Sequence, residues 1–367
     1  MRVVLIAGTK GKGSTAAFLA AIAHASGSRA GLFTSPHLQE YRERVRIDGA
    51  MLPTRAFERA IGELRPLVRR LRRAHPDAGD PTTFELTLVL ALRAFAARRC
   101  PIAILEVGLG GRLDATNALD PAISIITPVS YDHTAILGRS LATIATEKAG
   151  IIRHGRPAIV AVQRPAAARA IARVCRIEGA LLDVVRPLDA NVDLALEGAH
   201  QRQNAALAAA AARALELPAV ARGLRSATWP ARYELVRGRP PIVIDGAHNG
   251  ASAEALARQL RRDRAGRRLA LVVGINRDKD ARAVLAPLVP LASTVIATRS
   301  ASPRAADPVS ISADAGSKAR TADTVADAIS MARSDAGPDG LVCVTGSLAL
   351  AGDARTALGL APVEHLW

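Results

Sequence analysis

Residues 3–15 read VVLIAGTKGKGST, and they place an unbroken apolar run, Val3–Ala7, directly before a glycine-rich segment. A helical pattern of small and apolar residues follows over Ser14–Ala25. The order is strand, tight loop and helix. Glycines let backbone N–H groups approach a polyphosphate, and a helix N-terminus favours negative charge. The segment therefore predicts phosphate-binding chemistry, with a glycine-rich turn that holds no ligand as the alternative.

The same segment contains side chains suited to a nucleotide. Lys12 can reach the outer phosphates, and Ser14 or Thr15 can serve a metal ion. The spacing departs from GxxxxGK[ST], because Gly13 separates Lys12 from Ser14. Lysine is scarce in the chain, so a lysine inside a motif stands out from the many arginines; the five are Lys10, Lys12, Lys148, Lys279 and Lys318.

Apolar runs and helical patterns alternate along the rest of the first half. Further strands are predicted at 30–33, 102–106, 122–126 and 158–162, and helices near 54–74, 83–99, 140–147, 165–178 and 203–215. Continuous apolar strands between helices indicate a parallel sheet covered on both faces.

Prolines interrupt the pattern over 216–241, where we place the linker between two domains, 1–230 and 231–367. The alternation then resumes, with strands predicted near 242–245, 269–274, 293–298 and 341–345, and helices near 251–263, 280–288, 320–334 and 348–357. We expect a loop over 300–318. The predicted fold class is α/β, with a second, smaller doubly wound domain.

Composition excludes several classes of protein. The chain has 367 residues, of which 49% are apolar and 22% charged, so disorder along its length is excluded. No run reaches the roughly 18 apolar residues of a membrane span, and no cleavage site follows the opening residues. Three scattered cysteines without a CxxC pair argue against disulfides or zinc. We expect a soluble protein of the reducing cytoplasm.

The net charge of +16 raises nucleic acid as a partner. However, the arginines are spread along helices beside alanines, and aromatic residues make up only 3% of the chain. So few aromatics cannot build the stacking surfaces of single-strand binders. A nucleic-acid role is therefore disfavoured.

Two later segments of the first half end strands with polar residues. In FTSPHL, residues 33–38, Ser35 lies where a parallel strand would meet a ligand crevice, although a capping serine is an equal alternative. In EVGLGGRLDATN, residues 106–117, Glu106 ends a buried strand, which is costly unless a metal or cation pairs with it. A structural salt bridge is the alternative for Glu106.

Other polar groups follow the same layout. Asp132-His133 follows a strand, and Lys148 ends a helix in EKAGI, residues 147–151. In the second half, strands end at DGAHN (245–249), at 274–280 and at 345–348. Each feature alone is weak, and a lone histidine is more often structural. Together they predict a site at strand ends that face the first domain.

AGTKGKGST, FTSPHL, EVGLGGRLDATN, EKAGI and DGAHN together resemble the folylpolyglutamate synthase and dihydrofolate synthase family of the Mur ligases, in the family's order along nearly the whole chain. The resemblance implies Mur ligase architecture: an N-terminal P-loop-type doubly wound parallel-sheet ATPase domain and a smaller Rossmann-like C-terminal domain. It implies an ATP-dependent amide ligase that adds L-glutamate to dihydropteroate or folyl-polyglutamate through an acyl phosphate, giving ADP and phosphate.

The resemblance also implies residue roles. ATP would be held by Gly11, Lys12, Gly13, Ser14, Asn204, Arg232 and Asp245. One Mg²⁺ would be bound by Ser35 and Glu106 and a second by His133, with Lys148 carbamylated as an anionic support. Catalysis would rest on Lys12, Glu106, His133, Lys148 and His248. Glutamate would be placed by His248 and Ser347, and the pterin would contact Thr82, Thr83, Phe84, Glu85, Leu113, Asp114 and Ala115.

The sequence departs from the family pattern at its start. Members usually carry a few dozen residues before the phosphate loop, including a segment that contacts dihydropteroate, whereas the first strand here begins at about residue 2. Three acceptors therefore stay open: dihydropteroate, a reduced folate, or a non-folate carboxylate in a ligase of the same chemistry. A rival of another class is a nucleotide-binding regulatory protein. We expect small-molecule substrates, no nucleic acid, no membrane and a monomer.

Overall fold

The computed structural model describes residues 1–367 and contains two β-sheets. The strands are β1 (Arg2–Ala7), β2 (Ala30–Phe33), β3 (Val45–Ile47), β4 (Ala50–Met51), β5 (Ile102–Glu106), β6 (Ile123–Ile126), β7 (Pro157–Ala161), β8 (Leu181–Val185), β9 (Glu234–Val236), β10 (Ile242–Ile244), β11 (Leu269–Val273), β12 (Thr294–Ala297), β13 (Ala319–Thr321) and β14 (Leu341–Thr345).

Helices connect these strands on both sides of each sheet. They are α1 (Lys12–Ala25), α2 (Thr54–Ala74), α3 (Thr83–Ala97), α4 (Thr134–Leu137), α5 (Leu141–Ala149), α6 (Pro165–Ile177), α7 (Ala199–Ala214), α8 (Val220–Ser226), α9 (Gly250–Asp263), α10 (Ala281–Leu285), α11 (Pro308–Ala315), α12 (Val325–Ala336) and α13 (Leu348–Ala357), with short 3₁₀ turns at Tyr41–Arg44, Pro76–Ala78, Ala115–Ala118 and Val289–Leu291. No helix is long and apolar enough to cross a membrane.

The first sheet has eight strands in the order β4-β3-β2-β5-β1-β6-β7-β8. The six strands from β2 to β8 run parallel, and β3 and β4 add an antiparallel edge. Alternate residues of β1 enter two different cores: Val3, Leu5 and Ala7 pack on one face, and Val4 and Ile6 on the other. This alternation confirms the prediction of a parallel sheet covered on both faces.

The second sheet has six strands in the order β13-β12-β11-β14-β10-β9, and only β9 is antiparallel to its neighbour. Residues of β11 again divide between two cores, Leu269, Leu271 and Val273 on one side and Ala270 and Val272 on the other. The predicted α/β fold class with a second doubly wound domain is confirmed. The boundary between 230 and 231 stays a prediction.

Several local predictions were wrong. The expected loop at 300–318 contains α11, whose N-cap Asp307 accepts the Val309 N–H and whose first residue is proline. A Ser- and Ala-rich helix of eight residues gives too weak a hydrophobic period to be recognised. The helix expected at 320–334 begins at Val325, because β13 precedes it. The expected linker at 216–241 contains α8 and β9.

The C-terminal segment leaves the second domain and packs on the first. Leu366 is 2% exposed within the first domain's core, and its N–H donates to the Gly49 carbonyl. The Met51 N–H donates to the Glu364 carbonyl, so the segment extends the edge beyond β4. The guanidinium of Arg46, 3% exposed, donates to the Val363 and Glu364 carbonyls at 2.7 and 3.2 Å. We call residues 358–367 the C-terminal strap.

The strap is expected to contribute to the stability of the first domain. Leu366→Ala removes a buried side chain and leaves a cavity, at a cost of about 2–4 kcal/mol. Urea unfolding followed by tryptophan fluorescence measures this cost, because both tryptophans, Trp229 and Trp367, pack on the first domain's core. Val309→Ala, at a position 65% exposed in the second domain, is the control. An unchanged unfolding midpoint for Leu366→Ala would contradict the assignment.

Candidate active site

The phosphate loop contains glycines at positions where any other residue would clash with a neighbouring side chain. Gly11 has φ +85°, and a Cβ added to it would lie 2.1 Å from the Asn204 Oδ1. A Cβ on Gly8 would lie 1.8 Å from the Thr127 Oγ1. No side chain caps the N-terminus of α1, which starts at Lys12. The loop therefore presents a close backbone and an uncapped helix end, as a phosphate site requires.

A buried carboxylate lies beside this loop. Glu106, the last residue of β5, is 6% exposed, and its Oε2 accepts the Ser35 N–H at 3.1 Å. Its Oε1 is 3.9 Å from the Lys12 Nζ. Burial raises the pKa of Glu106, and the charge of Lys12 opposes that rise. The structure thus brings together Lys12, Ser35 and Glu106, which the sequence suggested as site residues in three separate motifs.

Lys148 is buried at the last turn of α5, with 4% of its surface exposed. Its Nζ donates to the Gly8 carbonyl at 3.0 Å, so the amine contacts the phosphate loop itself. Burial, and then the nearby charge of Lys12, lowers the pKa of Lys148 to about 7. Near neutral pH a large part of this amine is therefore unprotonated and nucleophilic.

Asp132 and His133 lie between the two domains. His133 has φ +50° and precedes α4, and its Nε2 is 3.8 Å from the Asp132 Oδ1. The Lys279 Nζ, from the loop after β11, is 3.5 Å from the same Asp132 oxygen. Burial raises the pKa of Asp132, but Lys279, His133 and His248 outweigh it and hold the pKa below its usual range. Lys279 is a residue to which the sequence analysis gave no role.

The second domain contributes a turn organised by Asp245. The Asp245 carboxylate accepts the Tyr233 N–H at 2.8 Å and the Ala247 N–H at 2.9 Å. Burial raises the pKa of Asp245 and lowers that of Arg232, and the two groups stabilise each other's charge. Arg232 also interacts with Glu106 of the first domain, so it lies where both domains meet the crevice.

His248 has a defined tautomer. Its Nδ1 is 2.8 Å from the Gly246 carbonyl, which can only accept, so Nδ1 carries the proton and Nε2 keeps a free lone pair. Burial lowers the pKa of His248, and the charges of Lys279 and Arg232 lower it further. The ring is thus held as a neutral imidazole beside two cations.

Beside Asn204, which the resemblance already implied, the structure adds two residues that the sequence did not suggest: Gln201 of α7 and Trp229, which follows α8. Asn204 is 3% exposed and donates to the Gln201 Oε1 at 2.8 Å, while the Gln201 Nε2 reaches the Ser14 Oγ at 3.4 Å. Trp229 covers the loop at Gly13, where an added Cβ would lie 3.0 Å from the indole Nε1. No local pattern signals Gln201 or Trp229, because both act by packing against the phosphate loop, which lies far earlier in the chain; Gln201 and Ser14 are 187 residues apart.

The stretches expected to touch the pterin lie next to each other, but several of their polar groups have structural roles. Thr82 caps α3, and its N–H and hydroxyl both donate to the Glu85 Oε2, at 2.7 and 2.8 Å. Asp114 accepts the N–H groups of Gly108 and Leu109, both at 3.0 Å, and so fixes the glycine loop.

The remaining members of these stretches are placed differently. The Phe84 ring lies 5.4 Å from Phe33 and covers Gly108, where an added Cβ would lie 2.8 Å away. Leu113 is 80% exposed, Thr83 starts α3, and Ala115 packs on the first core. In the second domain, Ser347 is 2% exposed and caps α13 by accepting the Leu350 N–H.

Family profiles match both parts of the chain. The Mur ligase middle domain matches residues 6–181, and the Mur ligase glutamate ligase domain matches residues 231–348. The first profile spans the phosphate loop, Glu106 and Lys148, and the second spans Arg232, Asp245 and His248. Fold and crevice together define the protein as a Mur ligase.

Comparison with individual relatives shows to which family of Mur ligases the chain belongs. A Mycobacterium tuberculosis dihydrofolate synthase/folylpolyglutamate synthase is 36% identical over 97% of this chain and 86% of its own length. The chain therefore belongs to the dihydrofolate synthase/folylpolyglutamate synthase family, and the predicted ATP-dependent ligase class is confirmed. A longer Haloferax volcanii protein, a probable bifunctional folylpolyglutamate synthase/dihydropteroate synthase, is 36% identical over 96% of this chain but only 46% of its length.

Solved structures match over nearly the whole chain. The M. tuberculosis folylpolyglutamate synthase complexed with ADP and AMPPCP has a TM-score of 0.93, with 34% identity over 98% of this chain and 92% of that chain. The Yersinia pestis bifunctional enzyme complexed with AMPPNP and Mn ion has a TM-score of 0.87, with 32% identity over 98% of this chain and 89% of that chain. These matches confirm the predicted architecture.

The burial of Lys148 is expected to destabilise the protein. The unfolded chain keeps this amine charged up to a pKa near 10.5, whereas the folded chain releases the proton near pH 7. The penalty is therefore full below about pH 7 and disappears as the pH approaches about 10.5. Lys148→Met should stabilise the protein by about 1–4 kcal/mol at pH 6 and by less at pH 9.

Urea unfolding in bicarbonate-free buffer measures this difference. Lys318→Met is the control, because the Lys318 ammonium only donates to the Ala292 carbonyl in the second domain. Equal stability changes for Lys148→Met at the two pH values would show that the amine is not held uncharged.

Proposed function

We propose that the protein activates the carboxylate of a pteroate or folate with ATP and joins it to the amine of L-glutamate, giving an amide, ADP and phosphate. One observation carries this proposal. The phosphate loop, the Lys12–Glu106 pair and Arg232 of the second domain meet in one crevice. Relatives crystallised with ADP, AMPPCP and AMPPNP support nucleotide binding there.

The first step transfers the γ-phosphoryl group of ATP to the acceptor carboxylate. Gly11, Gly13 and the start of α1 receive the phosphates, and Lys12 neutralises charge that moves to the leaving oxygen. Asn204 lies over Gly11, so it is placed to contact the nucleotide. The acyl phosphate that results is prone to hydrolysis, so closure of the two domains serves to exclude water.

Divalent metal binding fits the residues around the loop. No group of three or more His, Cys, Asp or Glu side chains is arranged to hold an ion without a partner molecule. Mg²⁺ is commonly held by one or two carboxylates together with substrate phosphates, and Glu106 supplies such a carboxylate. The Thr15 hydroxyl beside Ser14 is buried without a hydrogen-bond partner in the protein, as expected of a group that binds a ligand. Bound Mg²⁺ would neutralise phosphate charge.

A second metal position at His133 and a carbamate on Lys148 complete the proposed centre. His133 is subject to the charges of Lys279, Lys148 and Lys12, so cations crowd this side of the crevice. Addition of CO₂ to the unprotonated Lys148 amine forms an N–C bond and releases a proton, and it turns the neutral amine into an anion. That change would relieve the repulsion and supply a second anionic support beside the loop.

The second step forms the amide. His248, with a free lone pair at Nε2, is placed to accept the proton that the glutamate amine loses as it attacks the acyl phosphate. Lys279, whose charge acts on His248 from the loop after β11, suits a carboxylate of the incoming amino acid. Ser347, which caps α13, would help to place the incoming glutamate.

The acceptor is expected to be a folate-type carboxylate. Relatives are named dihydrofolate synthase/folylpolyglutamate synthase, and these names give no support to a non-folate acceptor. Phe84 and the exposed Leu113 supply apolar surface beside the Gly108 loop, which suits a flat aromatic ring system. A monomeric state, a cytoplasmic location and the lack of a nucleic-acid partner stay predictions.

Phosphate release from ATP with glutamate present tests the acceptor. We expect release with dihydropteroate, with tetrahydrofolate or with both, and mass spectrometry should show a pterin that has gained one glutamyl unit. A sample without acceptor is the baseline. Binding of ADP without release on either pterin would exclude the proposed acceptors.

Lys148→Ala tests the carbamate. Turnover should fall by about 100-fold or more, because an anionic group at the phosphates is lost, while circular dichroism stays unchanged. Carbon-13 NMR with labelled bicarbonate should show a carbamate signal in the wild type that Lys148→Ala lacks. Lys318→Ala is the control and should keep both rate and signal. Wild-type rates in Lys148→Ala would remove the proposed role.

A further inference from the structure

A second cavity lies outside the interdomain crevice. It occupies about 490 Å³ between α2 and α3 and shares no lining residue with the crevice that contains Glu106. Ligand pockets of small molecules are commonly of this size. Its walls are mainly apolar and come from facing positions of the two helices: Phe57, Ile61, Leu64, Val68, Leu86 and Leu90.

The walls follow from the spacing of apolar residues on α2. Phe57, Ile61, Leu64 and Val68 are separated by four, three and four residues, which places them on one face of the helix. Only Phe57 and Leu64 are buried, and Ile61 is still 43% exposed. The apolar face of α2 is thus incompletely covered by the protein itself.

The mouth of the cavity is positively charged. Helix α2 carries seven arginines and two glutamates, and Arg65, Arg69 and Arg72 line the cavity. Asp80 binds Arg72 through two hydrogen bonds of 2.6 and 2.8 Å. Arg65 and Arg69 have no hydrogen bond or ion pair with any carboxylate of the chain. Two guanidiniums beside an apolar cavity are therefore available to an anion.

The polar side chains at the inner end of the cavity already have hydrogen-bond partners within the protein. The hydroxyls of Tyr41 and Thr87 are 2.6 Å apart, and the Thr87 hydroxyl also donates to the Thr83 carbonyl at 2.6 Å. These groups satisfy one another, so an occupant needs no hydrogen-bonding group at that end. The Tyr41 ring is further fixed by Arg44, 4.7 Å above its centre.

We propose that the cavity binds a small amphiphilic anion, with an alkyl or aryl body between α2 and α3 and a carboxylate at Arg65 and Arg69. The recessed shape favours a small molecule over a membrane surface, which would need the apolar face of α2 to project. The apolar walls accept the alkyl or aryl body, and the positive charge at the mouth favours an acid over a neutral or cationic analogue. Thr83 also lines the cavity, so the site adjoins the stretch expected to contact the pterin, but binding there needs neither nucleotide nor glutamate.

Isothermal titration of the full chain with decanoate, below its micelle concentration, tests the site. Decanoate should bind at one saturable site, and decanol and decyltrimethylammonium should bind at least about ten-fold more weakly. Arg65→Ala/Arg69→Ala should weaken decanoate binding about ten-fold, because two exposed ion pairs are lost. Val68→Trp fills the cavity and should abolish binding.

The matched control is Arg59→Ala/Arg70→Ala, which removes two exposed arginines of α2 that do not line the cavity. This variant should bind decanoate like the wild type. Several results would overturn the proposal: no saturable binding of decanoate, equal binding of decanol, or equal losses in the two double variants. Binding to vesicles of anionic lipid in place of free decanoate would instead assign the α2 surface to membranes.

Discussion

A carboxylate at the end of a fully buried strand dictates much of what surrounds it. Glu106 terminates β5, whose other residues are all buried, so its charge is removed from water by the sheet itself. An isolated charge in that position would be strongly unfavourable, and the Ser35 N–H and the Lys12 ammonium are the compensations that the chain supplies. Arg232 adds a third from the second domain. The phosphate loop, the loop after β2 and the interdomain hinge therefore all approach the two carboxylate oxygens of Glu106.

Much of this arrangement could be predicted from the sequence, because each part lies at the carboxyl end of a parallel strand. Glu106 ends one apolar run, Asp245 directly follows another, and Asp132 lies in the loop after a third, and parallel strands bring such residues to one edge of their sheet. Short elements with a weak hydrophobic period were not predicted. Helix α11 and the edge strands β3, β4 and β13 are short and only weakly periodic, so neighbouring polar residues conceal them.

The site residues that escaped prediction have a different origin. Gln201 and Trp229 act on the phosphate loop only because α7 and the chain after α8 pack over α1. Asp114, whose contact with the substrate stays a prediction, also has a structural role that the sequence did not indicate: it accepts two hydrogen bonds from the Gly108 loop and two from Thr116. Periodicity locates elements, but it does not reveal which distant side chains meet or which polar groups satisfy each other.

Two chain crossings hold the second domain against the first, and they constrain how the crevice can open. The hinge passes through Arg232, and the C-terminal strap returns to β4. Between them Arg355, 4% exposed, binds both Gln39 of the first domain and Glu234 of β9. Because both crossings and this arginine join the same pair of domains, separation by simple translation would stretch the hinge, pull the strap away from β4 and break the contact between Arg355 and Gln39. Opening of the crevice would also have to separate Lys279 from Asp132, which are 3.5 Å apart across the two domains, and α9 from α7. The hinge, the strap, the Arg355 contacts and the Lys279–Asp132 pair therefore all resist opening of the crevice.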